Sequence, residues 1–247
     1  MVERAPRVEE RDMNTPREKE FFLEYGYFHA RGVLSSEELA NMREAFDRVW
    51  EIEGPRVNQH KLLKYSEFIN LIEHKPIIDR HKAIFGNQVQ LLQYDLLRQG
   101  PHSTAPDRAW HRDFTFPGNR ALSINTILYL DEMTPERGPT SVVPGSHREE
   151  RWPPKNQRTG PIEGEVRVLA DAGDAVFING AIWHSGGCNR TDGLRRGIYL
   201  YYGYWWLKRY ESDQNLPWQA LEHASEERLK LLGIKMAGGD LHMYDPQ

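Results

Sequence analysis

The feature that most constrains this fold is a change of hydrophobic period part-way along the chain. Up to about residue 86, apolar residues recur at helical spacing; from Val89 onward they come in short strand-like runs broken by turn signals. Ser35 and Glu38 form S-x-x-E, a capping box. Behind it Leu39, Met42, Phe46 and Val49 predict an amphipathic helix that ends before Gly54-Pro55. A second helical stretch carries Phe68, Ile69, Ile72, Ile77, Ile78, His81, Ile84 and Phe85, with a break near Pro76 and a stop at Gly86. The runs VQLLQYDLL, RALSINTILYL, EVRVLA, DAVFI and GIYLYYGYWW follow. Pro117-Gly118-Asn119, Gly138-Pro139, Pro144-Gly145 and Asp192-Gly193 punctuate them. In RALSINTILYL one side holds Leu122, Ile124, Thr126, Leu128 and Leu130, yet Ile127 and Tyr129 keep the other side apolar, so both faces should be covered. Past Pro217, Trp218, Leu221, Leu229 and Leu232 predict a closing helix with Trp205 and Trp206 packed beneath it.

Helices first, strands next and a helix last do not fit a doubly wound sheet, in which the two alternate. They predict a mainly β fold, a sandwich or barrel of antiparallel strands buttressed by helices. The 247 residues suit one domain. It divides into a charged lead-in (1–16), a helical buttress (17–86), a strand-rich core (87–210) and a C-terminal helix and tail (211–247). Seven Trp, 11 Tyr and 9 Phe supply the apolar area such a core needs.

Charge narrows the function. Lys+Arg 32 against Asp+Glu 36 leaves a net charge of −4, without the positive field a nucleic-acid binder requires. No apolar run approaches the ~20 residues of a membrane span, and the first residues are charged where a signal peptide needs an apolar stretch. The single cysteine, Cys188, rules out an internal disulfide framework and a multi-cysteine metal site. A cytoplasmic protein acting on a small molecule is expected; the oligomeric state has no signature.

Chemistry concentrates in two segments. Trp110-His111-Arg112-Asp113 contains His-x-Asp, whose first and third side chains share one face of a strand. Trp183-His184-Ser185-Gly186-Gly187 places a second histidine at the end of the run DAVFI. Two histidines and one carboxylate can occupy one face of a metal and leave other positions open, as in non-haem Fe(II) oxygenases. Arg195 follows His184 by eleven residues, and the glycines between them allow a hairpin that would return Arg195 to His184. An always-charged guanidinium suits a carboxylate clamp. Arg196 must then point the other way, to solvent or an acidic neighbour. His147 in PGSH is the rival third ligand, with a structural or lid role the plainer reading, and His102 is another loop histidine. Lys61 and Lys64 either hold an anion or lie on a solvated connector.

The sequence resembles the phytanoyl-CoA dioxygenase-like Fe(II)/2-oxoglutarate-dependent oxygenases from about Phe21 to Gly233. The segments that carry the resemblance are YGYFHARGVLSSEEL, GNQVQLLQYDLLRQGP, WHRDF, ERGPTSVVPGSH, GDAVFINGAIWHSGGCNRTDGLRRGIYLYY and LKLLGIK. The resemblance implies a double-stranded β-helix, the cupin-like jelly roll, as the core of a single oxygenase domain. It implies His111, Asp113 and His184 as iron ligands and Arg195 as partner of the distal carboxylate of 2-oxoglutarate. Apart from the resemblance, Asn125 or Thr126 on the strand-like run RALSINTILYL are candidates to hydrogen-bond that co-substrate, the plainer reading being that they face water. O2 would be the oxidant, with succinate and CO2 released. The presence of Asp113, where related halogenases have a small residue, favours hydroxylation or another oxidation. Trp110, Phe114, Phe116 and Trp183 flank the ligands and are candidates to line a substrate pocket. A cupin-like metalloenzyme without keto acid and a non-catalytic metal-binding jelly roll are the alternatives.

Overall fold

The computed structural model describes residues 16–113, 118, 120–154, 159–209 and 216–235. Most of the charged lead-in and the far C-terminal tail lie outside them. Helix α1 (Pro16–Tyr25) runs into strand β1 (Tyr27–Ala30), followed by α2 (Ser36–Glu53), α3 (Gln59–Leu62), α4 (Ser66–Leu71) and α5 (Lys75–Phe85). Among the described residues eight strands are completed by β2 (Val89–Gln99), β3 (Ser123–Tyr129), β4 (Ser141–Val142), β5 (Val166–Arg167), β6 (Ala175–Asn179), β7 (His184–Ser185) and β8 (Arg195–Tyr204). Two short helices close the described chain, α6 (Trp218–Leu221) and α7 (Glu226–Leu231).

The helices form where the sequence places them. At α2 the Ser35 hydroxyl accepts from the Glu38 amide at 3.2 Å while the Glu38 carboxylate accepts from the Ser35 amide at 2.8 Å, a reciprocal cap. Gly54, at φ 82°, ends the helix in a conformation that other residues adopt only with strain. Pro76 does not kink a helix; it opens α5 in the first turn, where its missing amide costs nothing.

The strands build two antiparallel sheets, one ordered β1-β6-β3-β8-β2 and the other β5-β4-β7. An isolated bridge between His111 and His184 extends the smaller sheet by the His-x-Asp segment. Facing sheets of this kind make the jelly roll. Strand β3 lies at the centre of the larger sheet and is buried along its whole length. Ile124 and Leu128 pack with Phe46, Phe68, Ile72 and Ile77 beneath the helices. Ile127 and Tyr129 pack with Val142, Val176, Ile178 and Ile182 between the sheets. Each fully buried side chain of this size contributes about 2–3 kcal/mol of apolar burial, so covering the outer face is what the helical buttress does for the fold.

The C-terminal expectation needs correction. The stripe from Trp218 to Leu232 is split by α6 and α7: Leu232 is buried as expected, but Trp218 and Leu221 are exposed, and Ala220 and Leu231 are buried in their place. Trp206 is exposed too and stacks on Tyr204 at 5.4 Å. The turn Glu222–Ser225 resets the helical phase, so one periodicity could not run through both helices.

Candidate metal centre

His111 and His184 face each other across the antiparallel bridge. Each amide donates to the other's carbonyl, at 3.0 and 2.9 Å, and the rings lie 4.2 Å apart. Asp113 is anchored by its own amide, which donates to the Gly180 carbonyl at 2.8 Å just before β7. Its Oδ1 sits 3.6 Å from Nε2 of both histidines. One donor atom from each of the three residues falls within 4.8 Å of the others, the one such metal-capable group among the described residues.

The protonation pattern follows from backbone contacts. Nδ1 of His111 is 2.7 Å from the Ala109 carbonyl and Nδ1 of His184 is 3.1 Å from the Ile182 carbonyl. A carbonyl only accepts, so each Nδ1 carries a proton, and Nε2 is the ring nitrogen that each histidine turns towards Asp113. Burial pushes the pKa of His184 down and the His111 ring adds to this; the Asp113 carboxylate opposes it without prevailing. The His184 imidazole therefore stays neutral, the form that binds a metal. Oδ2 of Asp113 is buried with no hydrogen-bond partner among the described residues. A divalent cation fits this donor set: two imidazoles and a carboxylate with an unsatisfied oxygen.

Arg195 opens β8 and is 1% exposed. Its Nε donates to the Gly138 carbonyl at 3.0 Å, its guanidinium lies 5.8 Å from the Tyr129 ring centroid, and Nη1 and Nη2 have no partner among the described residues. Burial works against its charge, but Tyr199, Tyr129 and Asp131 outweigh that and hold the group protonated. Two unpaired N–H-bearing nitrogens on a buried cation fit a carboxylate that accepts from both. Arg196 turns the opposite way and grips Asp131 with Nε at 3.1 Å and Nη2 at 2.7 Å, while Nη1 reaches Asp47 at 2.7 Å.

The hairpin expected between His184 and Arg195 does not form. Strand β7 pairs with β4, whereas β8 pairs with β2 and β3, so the two residues stand on different sheets. The intervening glycines serve a crossover instead: Gly187 packs so tightly on Gly138 that a Cβ on either would collide with the other's backbone at about 2.5 Å. That contact brings the Gly138 carbonyl, and with it the smaller sheet, to the Arg195 side chain. No sequence pattern announces it.

The remaining candidates separate by face. Asn125 is buried on the inner side of β3, with Oδ1 lacking a partner among the described residues. Thr126 points to the helical side, where its hydroxyl pairs with Nε2 of the buried His81 at 2.8 Å; as a co-substrate ligand it is corrected, because alternation turns it away from the inner face. Trp110 and Trp183 are buried and donate through Nε1 to the carbonyls of Gly160 and Arg151. Phe114 and Phe116 lie outside the described residues. His147 is structural: Nε2 lies 3.2 Å from the Leu23 carbonyl and the ring fills the space left by Gly26. The Lys61 ammonium is occupied by the Glu53 and Arg56 carbonyls, and Lys64 pairs with Glu53.

Arg112 was not foreseen. It sits between the two candidate ligands but projects to the other side, where Nη2 donates to the carbonyls of Ser146 and Glu149 at 3.1 and 2.8 Å. Its guanidinium lies 5.9 and 6.0 Å from the Trp152 and Trp183 rings. The only sequence signal is its place in the alternation, which turns any residue between His111 and Asp113 outward.

With this geometry in hand, comparison with known proteins is decisive. The family profile described as phytanoyl-CoA dioxygenase (PhyH) matches residues 22–197. The chain belongs to the phytanoyl-CoA dioxygenase family. Among curated relatives it is similar to the dioxygenase andF of Emericella variicolor, 35% identical over 127 residues, or 51% of this chain and 41% of that protein's length. It is also similar to the dioxygenase af480 of Aspergillus fumigatus, 25% identical over 95% of this chain and 83% of that protein. The chain thus spans less than half of the first of these relatives and most of the second. Among solved structures it resembles the non-haem α-ketoglutarate-dependent carbocyclase SnoK from nogalamycin biosynthesis. The identity is 27% and the TM-score 0.65, covering 77% of this chain and 84% of that one. The matched family span takes in both candidate ligand segments and Arg195. Among the described residues no helix is long and apolar enough to cross a membrane.

Proposed function

We propose that this protein is an Fe(II)- and 2-oxoglutarate-dependent dioxygenase that hydroxylates or otherwise oxidises a small molecule, releasing succinate and CO2. In this reading His111, Asp113 and His184 hold the iron and Arg195 holds the far carboxylate of 2-oxoglutarate. The observation that carries it is the pairing of two features: a His-Asp-His group within 4.8 Å, and a buried guanidinium with two nitrogens unpartnered among the described residues. A cupin-like metalloenzyme without keto acid would need the first and have no use for the second.

Bound iron supplies the oxidising chemistry, activation of dioxygen coupled to loss of CO2 from the keto acid. The chain's own residues prepare for it. Nδ1–H bonds to the Ala109 and Ile182 carbonyls fix which nitrogen each imidazole offers. The Asp113 carboxylate would neutralise part of the metal's charge. Arg195 fixes the orientation of the keto diacid through two parallel hydrogen bonds. Asn125 is a further partner for the co-substrate on the same inner face. Trp110 and Trp183 wall the ligand segments more than they offer a surface to substrate.

The test is an anaerobic titration with Fe(II) and then 2-oxoglutarate, followed by exposure to air with succinate as the readout. A visible band of the ferrous keto-acid chelate and metal-dependent succinate release are expected. Arg195→Ala should weaken keto-acid binding by about a hundredfold, the order of a charge-assisted bidentate pair. Metal binding with no effect of 2-oxoglutarate would favour the keto-acid-independent alternative.

A further inference from the structure

A second group on the inner face is aimed at Arg195, and the sequence of β8 explains how it gets there. Arg195, Gly197 and Tyr199 alternate onto the same face of the strand. Gly197 stands opposite Tyr129 on β3 and Leu97 on β2, so the inner face has a gap one residue wide between Tyr199 and Arg195. The Tyr199 ring lies back into that gap: a Cβ added at Gly197 would come within 3.1 Å of Tyr199 Cε2 and 3.8 Å of its Cζ. Leaning over Gly197 carries the phenol hydroxyl beyond it, towards Arg195.

The other neighbours of the guanidinium are committed. The Tyr129 hydroxyl pairs with the Thr140 hydroxyl. Gln99, opposite Arg195 in the β2 register, spends its amide nitrogen on the Gly187 carbonyl and its oxygen on the Asn189 amide. Tyr199 is half-buried and packs its ring against the inner apolar cluster. Among the charged and phenolic groups that sustain the charge of Arg195 against burial, it comes first.

We propose that Tyr199 is a second binding group for the far carboxylate of 2-oxoglutarate, its hydroxyl donating to one carboxylate oxygen beside the Arg195 guanidinium, and that Gly197 is what lets it reach. The proposal rests on reading the site as a 2-oxoglutarate site. A phenol suits the task because its oxygen can accept from a guanidinium N–H while its own proton goes to the carboxylate. The plain alternative is that Tyr199 only packs, and Tyr199→Phe separates the two because it keeps the ring and removes the hydroxyl.

The experiment is anaerobic titration of the wild-type chain, Tyr199→Phe, Gly197→Ala and Arg195→Ala. Co(II) is added first and 2-oxoglutarate second, with the two dissociation constants measured separately. Metal affinity should be the same in all four proteins. The dissociation constant for 2-oxoglutarate should rise about tenfold in Tyr199→Phe, the size of one hydrogen bond to a charged group. A comparable rise is expected in Gly197→Ala, whose methyl displaces the ring, and a larger one in Arg195→Ala. If Tyr199→Phe binds 2-oxoglutarate as tightly as wild type while Arg195→Ala does not, the Tyr199 proposal is overturned and the site reading stands. A wild-type chain that binds metal but never 2-oxoglutarate overturns both.

Discussion

The two faces of β3 differ in what they leave unfinished. On the helical side Ile124 and Leu128 sit in a dense apolar layer, and the one polar side chain of β3 there, Thr126, is paired with His81, whose Nδ1 lacks a partner among the described residues. On the inner side Asn125 Oδ1 has no partner among the described residues, and the neighbouring strand brings Arg195 to the same face with Nη1 and Nη2 likewise unpaired. A buried polar atom without a partner costs about 1–3 kcal/mol. The helical face is therefore built to hold the fold, and the inner face carries a cost that a ligand would repay.

That contrast can be broken or sharpened by substitution. The largest effect is expected from paired changes on opposite faces. Leu128→Ala should lower the unfolding free energy by about 2–5 kcal/mol, because it empties a fully buried position, while the folded fraction keeps its 2-oxoglutarate affinity. Arg195→Met should do the reverse, removing keto-acid binding while leaving stability unchanged or slightly higher, since it replaces a buried charge, two of whose nitrogens lack partners among the described residues, with a similar apolar volume. Urea denaturation and keto-acid titration of both variants check this; a severe stability loss in Arg195→Met would erase the distinction.

A middle-sized effect is expected from pH. Burial and, secondarily, the Arg80 charge push the pKa of His81 down to about 3, against 6.5 when exposed. The unfolded chain therefore takes up this proton first. The contribution of His81 to stability is complete above about pH 6.5 and is lost as pH falls towards 3, at a slope of about 1.4 kcal/mol per pH unit. His81→Gln should flatten the acid limb of the urea-midpoint profile by one proton's worth. An unchanged slope would mean that the ring is hydrated. The smallest effect belongs to Thr126→Val: about 1 kcal/mol of stability from the lost bond to His81, and no change in 2-oxoglutarate affinity. Weakened keto-acid binding in that variant would return Thr126 to the inner face.

Much of the candidate site was legible from local pattern. His111 and Asp113 are two apart in an extended segment, which forces them onto one face whatever the rest of the chain does. The order of segments, rather than any single motif, pointed to the family. The α2 cap and its Gly54 stop were equally local. The less legible parts were the company that Arg195 keeps and the division of the C-terminal stripe. Gly138 and Gly187 approach each other only because strands from two sheets cross there, and neither glycine differs in sequence from those of an ordinary turn.

By itself, the sequence determined periods, caps and which neighbours must oppose one another, because these follow from the backbone geometry of a few consecutive residues. It could say that Asn125 and Thr126 point apart, and that Arg195 and Arg196 do as well. Spacing from His184 already favoured Arg195 over Arg196 for the inward position, but which of Asn125 and Thr126 faces the space between the sheets was decided only by tertiary structure. That choice depends on where helices α2 and α5 settle, on Asp131 and His81 claiming the outward partners, and on β8 joining β2 and β3 instead of folding back on β7. Those contacts join residues far apart in the chain, so their energies appear only when the sheets have closed.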